Sequence, residues 1–567
     1  MAAIADRIGQ RLHRLYGDRA DGVLPRVLDL LQSPIPPARP HDAGRWDQRD
    51  AVLITYGDQV RSAGDTPLRA LDRFLSDRQL DDCINIVHLL PFFPFSSDDG
   101  FSVIDYRTVD PGVGSWQDIQ RLGERFDLMF DLVLNHVSQH SQWFQHYLAG
   151  REPYTRFFIE ADPQQDLSAV VRPRSLPLLS RFETARGPRH LWTTFSDDQI
   201  DLNFGEPEVL LQMLRILLDY VRRGARVVRL DAIAYLWKEP GTRCIHLPRT
   251  HEVVKLMRDV LEAVAPHVIL LTETNVPHAE NVSYFGDGDE AHMVYQFSLP
   301  PLMLDALLSG DAVPLRQWLQ RLQATPAGTT YFNFTASHDG IGVRPVEGLI
   351  PHERFQQLVE ACRQRGALVS TRRNPDGSDS PYELNISYVD ALSDPNDTDP
   401  VRHARRFLLS QAIMLALRGI PGVYFHSLVG TGNDHEGVRQ TGHARRINRR
   451  KYQLDDLQQR LDDAGSLQQR IFAGYRHLLQ RRIGQAAFHP DAAQRVWDTP
   501  DPALIAFART GADQTILVAA NLGDRPRQLH FRDYTRDRFD RDLLSGRKVA
   551  ADQTIEIGSR DVVWVTS

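Results

Sequence analysis

The stretch VVRLDA at residues 227–232 decides how the chain is read: two β-branched residues, Val227 and Val228, run into Arg229, and a carboxylate, Asp231, follows two positions on. A helical pattern over residues 207–223 ends just upstream at Gly224. Alternate side chains of a strand share a face, so Arg229 and Asp231 point the same way at the strand's C-terminal end. Alone, such a pair also reads as a structural ion pair. Three other stretches have the same form, an apolar run ending in polar groups able to do chemistry: LMFDLVLNH at 128–136, VILLTETN at 268–275 and TYFNFTASHD at 330–339. Strand after strand delivering functional groups at its C-terminal end is how a parallel (β/α)8 barrel builds an active site. Asp231 and Glu273 lie 42 residues apart, and Glu273 and Asp339 lie 66 apart. With ~250 residues for eight β/α units, these spacings suit strands four, five and seven of a TIM barrel.

DLVLNH (131–136), RLDA (229–232), ETN (273–275) and SHD (337–339), in this order and at this spacing, resemble the four short conserved regions of the α-amylase family of retaining glycosidases. Longer strings resemble the sucrose-phosphorylase branch of that family, and within it the members that use glycerate: VHLLPFFPFSSDDGFSVIDY (87–106), RHLWTTFSDDQIDLN (189–203), LWKEPGT (236–242), EAHMVYQFSLPPL (290–302), SPYELNISY (380–388) and INRRKY (447–452). The resemblance implies an α/β fold, a (β/α)8 barrel with inserted subdomains. It also implies reversible attack of phosphate on an α-glucosyl enzyme, with a glucoside, inorganic phosphate and an acceptor as partners. The chain departs from that subgroup at Phe95, where Trp is expected, and in the basic string GHARR at 442–446.

The residues supply the chemistry directly. A retaining enzyme needs two carboxyl groups ~5 Å apart, one to attack the anomeric carbon and one to protonate the departing oxygen. Asp231 suits the first role, kept ionised by Arg229 on the same strand face; Glu273, at the end of an apolar strand where desolvation raises a carboxyl pKa, suits the second. Asp339 with His338 is placed to hold the sugar's hydroxyls, and His136 to add a hydrogen bond to the same sugar. By resemblance, Asp98 and Phe101 hold and stack on the glucosyl unit, Arg449 reaches it, and Arg174 sits on the phosphate or acceptor side. Tyr235 and Lys238 match positions beside the departing group. Tyr382 and Glu383 match a loop that changes position between accepting sugar and accepting phosphate. Phosphorylases of sucrose, sucrose 6'-phosphate or glucosylglycerol share every catalytic residue, and a hydrolase or transglucosylase shares the three carboxylates. A non-catalytic amylase-like binding subunit would not need Asp231, Glu273 and Asp339 together.

The 567 residues are enough for several domains, and 42% hydrophobic and 25% charged content is ordinary for a globular chain. Sixty-six basic and 73 acidic residues leave a net charge of −7 without long blocks of one sign, which argues against nucleic acid as a partner. The three cysteines, Cys83, Cys244 and Cys362, carry neither a disulfide pattern nor a zinc pattern. No cofactor or metal is called for; Asn135 matches a calcium ligand of true amylases, but no companion ligands are recognisable. The first residues read as a charged amphipathic helix without the apolar core of a signal peptide, and no apolar run reaches ~18 residues, so no membrane partner and a cytoplasmic location are expected.

The expected organisation is a helical segment over 1–47, barrel over 48–137, an inserted subdomain over 138–204, barrel over 205–340, and an insertion carrying the acceptor loop over 341–400. Barrel resumes over 401–484, and a small antiparallel β domain over 485–567 follows, where short alternating segments such as LIAFART and TILVAANL replace the helical patterns. The aromatic-rich loop at 91–106 is expected either to pack under the barrel or to face a sugar ring.

Overall fold

The computed structural model describes residues 2–40, 44–173, 176–374 and 378–567. Eight parallel strands close into a barrel: β1 Val52–Thr55, β2 Ile86–Leu89, β3 Asp127–Val133, β4 Ala225–Asp231, β5 Ile269–Thr272, β6 Met293–Tyr295, β7 Thr330–Phe334 and β8 Ile420–Tyr424. Each pairs with its neighbours in chain order, and β8 closes on β1. Every residue of these strands is buried, which is why they read in sequence as continuous apolar runs rather than alternating ones. The fold expected from the spacing of Asp231, Glu273 and Asp339 is therefore the one observed, with these groups at the ends of β4, β5 and β7. The three-residue β6 went unassigned in sequence because so short a run carries no periodic signal.

The N-terminal helix Ala2–Tyr16 lies against the barrel helix Pro248–Val264, where Arg7 and Arg11 pair with Asp259 and Arg14 with Glu252, and the next helix, Ala20–Leu30, lies against Pro207–Arg222, where Arg26 pairs with Glu208. After β3 the chain leaves the barrel for two hairpin-like pairs, His136–Ser138 with Gln199–Asp201 and Leu179–Phe182 with Arg189–Trp192. After β7 it forms a second excursion, a three-stranded sheet of Ile341–Gly342, Asp379–Asn385 and Leu368–Arg373 beside the helix His352–Gln364. Both excursions rise from the C-terminal ends of strands, the end where the barrel carries its polar groups.

A five-stranded antiparallel sheet ends the chain, with Thr515–Asn521 at its centre between Leu504–Thr510 and Asp561–Thr566. Its inner face packs on barrel helices through Ile505, Phe507, Val518 and Trp564. Two buried arginines tie this junction through backbone carbonyls: Arg509 donates to the carbonyls of Ala416 and His489, and Arg482 to those of Leu415 and Asp50. Burial pulls both guanidinium groups down, Arg509 to about 9 and Arg482 to about 10. Among the described residues, no helix is long and apolar enough to cross a membrane.

Candidate active site

The polar cluster is built around Arg229. In the β3–β4 register Arg229 pairs with Asp131, and Asp231 with Val133, so Arg229, Asp131 and Asp231 share the interior face. Arg229 Nη1 donates to Asp131 Oδ1 at 2.5 Å and to Asp231 Oδ1 at 2.7 Å. Its Nε donates to the Tyr295 hydroxyl at 3.1 Å, and its Nη2 stands 3.9 Å from Glu273 Oε2. On the far side of Asp131, the His88 ring nitrogen Nε2 lies 2.7 Å from Oδ2. Burial opposes charge on Asp131, but His88 and Arg229 outweigh it and hold the carboxyl below its ordinary range. Neither Asp131 nor His88 was singled out in sequence, although a charged or imidazole side chain inside an otherwise apolar strand is the signal that marks each.

Directly after Asp231 the backbone turns left-handed at Ala232 (φ 51°, ψ 29°), an uncommon state for a residue with a Cβ. The turn lets the Ala232 N–H donate to Glu273 Oε2 at 3.1 Å, which fixes the second carboxyl against the first. Burial pushes both Asp231 and Glu273 above the ordinary carboxyl range, and Arg229 pulls both back. Burial lifts Asp231 the further, to about 8, while the hydrogen bond from Arg229, which Glu273 lacks, favours charge on Asp231.

A second set of charges closes the opposite wall. Arg445 Nη1 lies 2.6 Å from Asp339 Oδ1, while its Nε and Nη2 donate to the two oxygens of Glu383 at 3.2 and 2.9 Å. Glu383 Oε1 also accepts from the Gly340 N–H at 2.9 Å. Burial opposes ionisation of Asp339, yet Arg445, His338 and Arg449 hold it well below the usual carboxylate range. Arg449 donates through Nε to the His338 carbonyl at 2.7 Å and through Nη1 to Asp99 Oδ2 at 2.7 Å. Phe101 stacks flat on the His338 ring, with centroids 4.8 Å apart and planes at 5°. Burial lowers His338 to about 3 and His136 to about 4, so both are neutral near pH 7 and offer hydrogen bonds without charge.

Asp231, Glu273, Asp339, Asp98, Phe101, His136, Arg229, Tyr235, His338 and Tyr382 line one cavity, with Arg445 in its wall. An adjoining cleft shares Asp98, Tyr382 and Arg445 and adds Glu383, Arg449 and Phe95. Of the two neighbouring acids, Asp98 lines both the cavity and the cleft, whereas Asp99 lines the cleft alone and anchors Arg449. In the aromatic loop Phe92 and Phe93 are buried in the core, Phe101 lines the cavity, and Phe95 is 39% exposed at the cleft.

One expected position differs. Lys238 is not at the cavity wall; its buried ammonium sits 2.6 Å from Asp201 Oδ2 and donates to Asn135 Oδ1 at 2.5 Å. Its charge is matched internally by a carboxylate that sequence spacing did not single out, and Asn135, the counterpart of a calcium ligand, accepts from an ammonium. Glu383 is buried, lines the adjoining cleft and is bonded to Arg445. Arg174 lies outside the described residues. Among the described residues, no group of three His, Cys, Asp or Glu side chains is arranged to hold a metal ion.

A closed parallel barrel with three carboxylates gathered over its C-terminal mouth is the frame of an enzyme of the α-amylase class, and the family model for the alpha-amylase catalytic domain matches residues 82–340. The glucosylglycerate phosphorylase of Spirochaeta thermophila is 50% identical over 517 residues, 90% of this chain and 87% of that one. That of Allomeiothermus silvanus is 47% identical over 541 residues, 95% of each chain. The crystal structure of sucrose 6F-phosphate phosphorylase from Thermoanaerobacter thermosaccharolyticum superposes with a TM-score of 0.72 at 28% identity, covering 84% of this chain and 94% of that chain. The chain belongs to the α-amylase family, in its group of glucosylglycerate phosphorylases.

Proposed function

We propose that the protein phosphorolyses 2-O-α-glucosylglycerate to α-glucose 1-phosphate and glycerate by double displacement. The observation that carries this reading is the 50% identity to a glucosylglycerate phosphorylase across nine-tenths of the chain, joined to a cavity that unites Asp231, Glu273 and Asp339. Asp231, held by Arg229, attacks the anomeric carbon. Glu273 gives its proton to the departing glycerate oxygen, then takes one back from the phosphate that follows, since one group serves as acid and base in the two half-reactions. Asp339, released from Arg445 to the sugar, binds two hydroxyls and favours the positive charge that grows on the ring. Phe101, backed by His338, gives the glucosyl unit a flat apolar floor, and neutral His136 and His338 add hydrogen bonds without opposing that charge. Asp98 and Arg449 complete the grip on the glucosyl unit, and Tyr235 and Tyr382 flank the side where glycerate leaves and phosphate enters.

The test is to supply α-glucose 1-phosphate with glycerate, fructose, fructose 6-phosphate or glycerol and to follow phosphate release. Release should be fastest with glycerate. Equal or faster release with a neutral acceptor refutes the glycerate reading, and release independent of any acceptor makes the protein a hydrolase.

A further inference from the structure

A separate polar cavity of about 50 Å³ lies between barrel strands, the helix Val313–Arg321 and the C-terminal sheet, and none of the residues around it lines the catalytic cavity or its cleft. One water needs only ~10–15 Å³. Its walls come from separate segments: Gln296 follows β6, Trp318 belongs to the helix, Tyr331 and Asn333 share one face of β7, and Arg418 precedes β8. Gln494, from the C-terminal strand Ala493–Val496, joins them and accepts from the Arg418 N–H at 2.8 Å. Arg418 is held tightly on β7. Asn333 Nδ2 donates to its carbonyl at 2.9 Å, and at the next residue, Gly419 (φ 128°), a Cβ would fall 2.5 Å from the Tyr331 carbonyl oxygen. Yet three buried atoms of this wall have no hydrogen-bond partner: Trp318 Nε1, Arg418 Nε and Gln296 Oε1. Trp318 is only 4% exposed and Gln296 1%.

The indole N–H and the guanidinium can only donate, and the Gln296 amide, turned about its last bond, offers its NH2 group in place of Oε1. Charge adds a second requirement. Arg418 Nη2 donates to a neutral acceptor, Thr325 Oγ1, at 3.1 Å, and among the described residues no carboxylate pairs with it. Arg482 and Arg509, which take the carbonyls of Leu415 and Ala416 just before it, bring charge of the same sign. A water could accept from these donors but would leave the Arg418 charge unmatched, whereas an anion meets both needs. We propose that this cavity binds a small monovalent anion, of the size and charge of chloride, held by Arg418 Nε–H and Trp318 Nε1–H, and that the bound anion fastens the C-terminal sheet to the barrel.

The experiment follows thermal unfolding of the full chain while sodium chloride replaces sodium gluconate, whose anion is too large for the cavity, at fixed ionic strength. The wild-type midpoint should rise by roughly 1–2 °C, and the rise should level off, as chloride reaches about tenfold to a hundredfold above its dissociation constant. Bromide should give the same rise, and in bromide-soaked crystals its anomalous scattering should place it against Arg418 and Trp318. Arg418→Met also alters the starting stability, so the quantity read is the rise with chloride, which should vanish. Trp318→Phe keeps the bulk of the ring without its N–H and should need several-fold more chloride for the same rise. A wild-type midpoint indifferent to the exchange of anions, either variant matching the wild-type chloride response, or bromide-soaked crystals with only water in the cavity overturns the proposal.

Discussion

Replacing Arg229 with Met tests whether this guanidinium holds the carboxylate cluster in place. The side chain is buried, and it joins Asp131 at 2.5 Å, Asp231 at 2.7 Å and the Tyr295 hydroxyl at 3.1 Å. Removing one partner of a buried charge cluster strands the others and costs about 3–5 kcal/mol. The loss should depend on pH. The Asp131 carboxyl is held below its ordinary range, so in wild type its contribution is present above the unfolded carboxyl pKa and is lost as pH falls through the lower folded value. In R229M, protonating Asp131 and Asp231 relieves the stranded charges, so the deficit should be largest near neutrality and should shrink as pH falls through the carboxylate range. Thermal unfolding of both proteins at a series of pH values measures this. A midpoint lower by roughly 2.5–4 °C at pH 7, narrowing towards pH 4, is expected. A deficit that is absent at pH 7, or that does not change with pH, refutes the placing of Arg229 as the organising cation.

Asp231→Asn should keep the fold, with a thermal midpoint within a few degrees of wild type, and lose several orders of magnitude in kcat; near-normal turnover would remove Asp231 as nucleophile. Glu273→Gln should lose roughly 10²–10⁴ in kcat/KM on glucosylglycerate and much less on an aryl α-glucoside, because acid assistance matters most when the departing oxygen is basic. Equal losses on both donors would take the acid role from Glu273. Lys238→Met should lower the thermal midpoint by stranding Asp201, while the preference for glycerate over glycerol stays as in wild type; a collapse of that preference would return Lys238 to the acceptor site.

What could be read from the chain, and what could not, follows from how each residue is placed. Arg229 and Asp231 stand two apart on one strand, so their shared face is a local fact, and the strand-end positions of Glu273 and Asp339 follow from barrel spacing. The bond from Arg229 to Asp131 depends on cross-strand register between β3 and β4, which no local pattern specifies. Arg445, Asp339 and Glu383 meet from three separate segments, so a basic string at 442–446 gave no sign that one of its members faces a carboxylate on either side. Lys238 was matched by position alone, and its real partner, Asp201, arrives only when the pair His136–Ser138 and Gln199–Asp201 folds back over the barrel.

The most direct test of double displacement at Asp231 is the configuration of the first glucosyl phosphate released from glucosylglycerate and phosphate, followed by NMR before any equilibration. Two inversions at one carbon restore the starting stereochemistry, so α-glucose 1-phosphate should appear from the first turnovers, in step with free glycerate and only when phosphate is present. Initial formation of the β-anomer would mean a single inversion, and would contradict a glucosyl enzyme on Asp231.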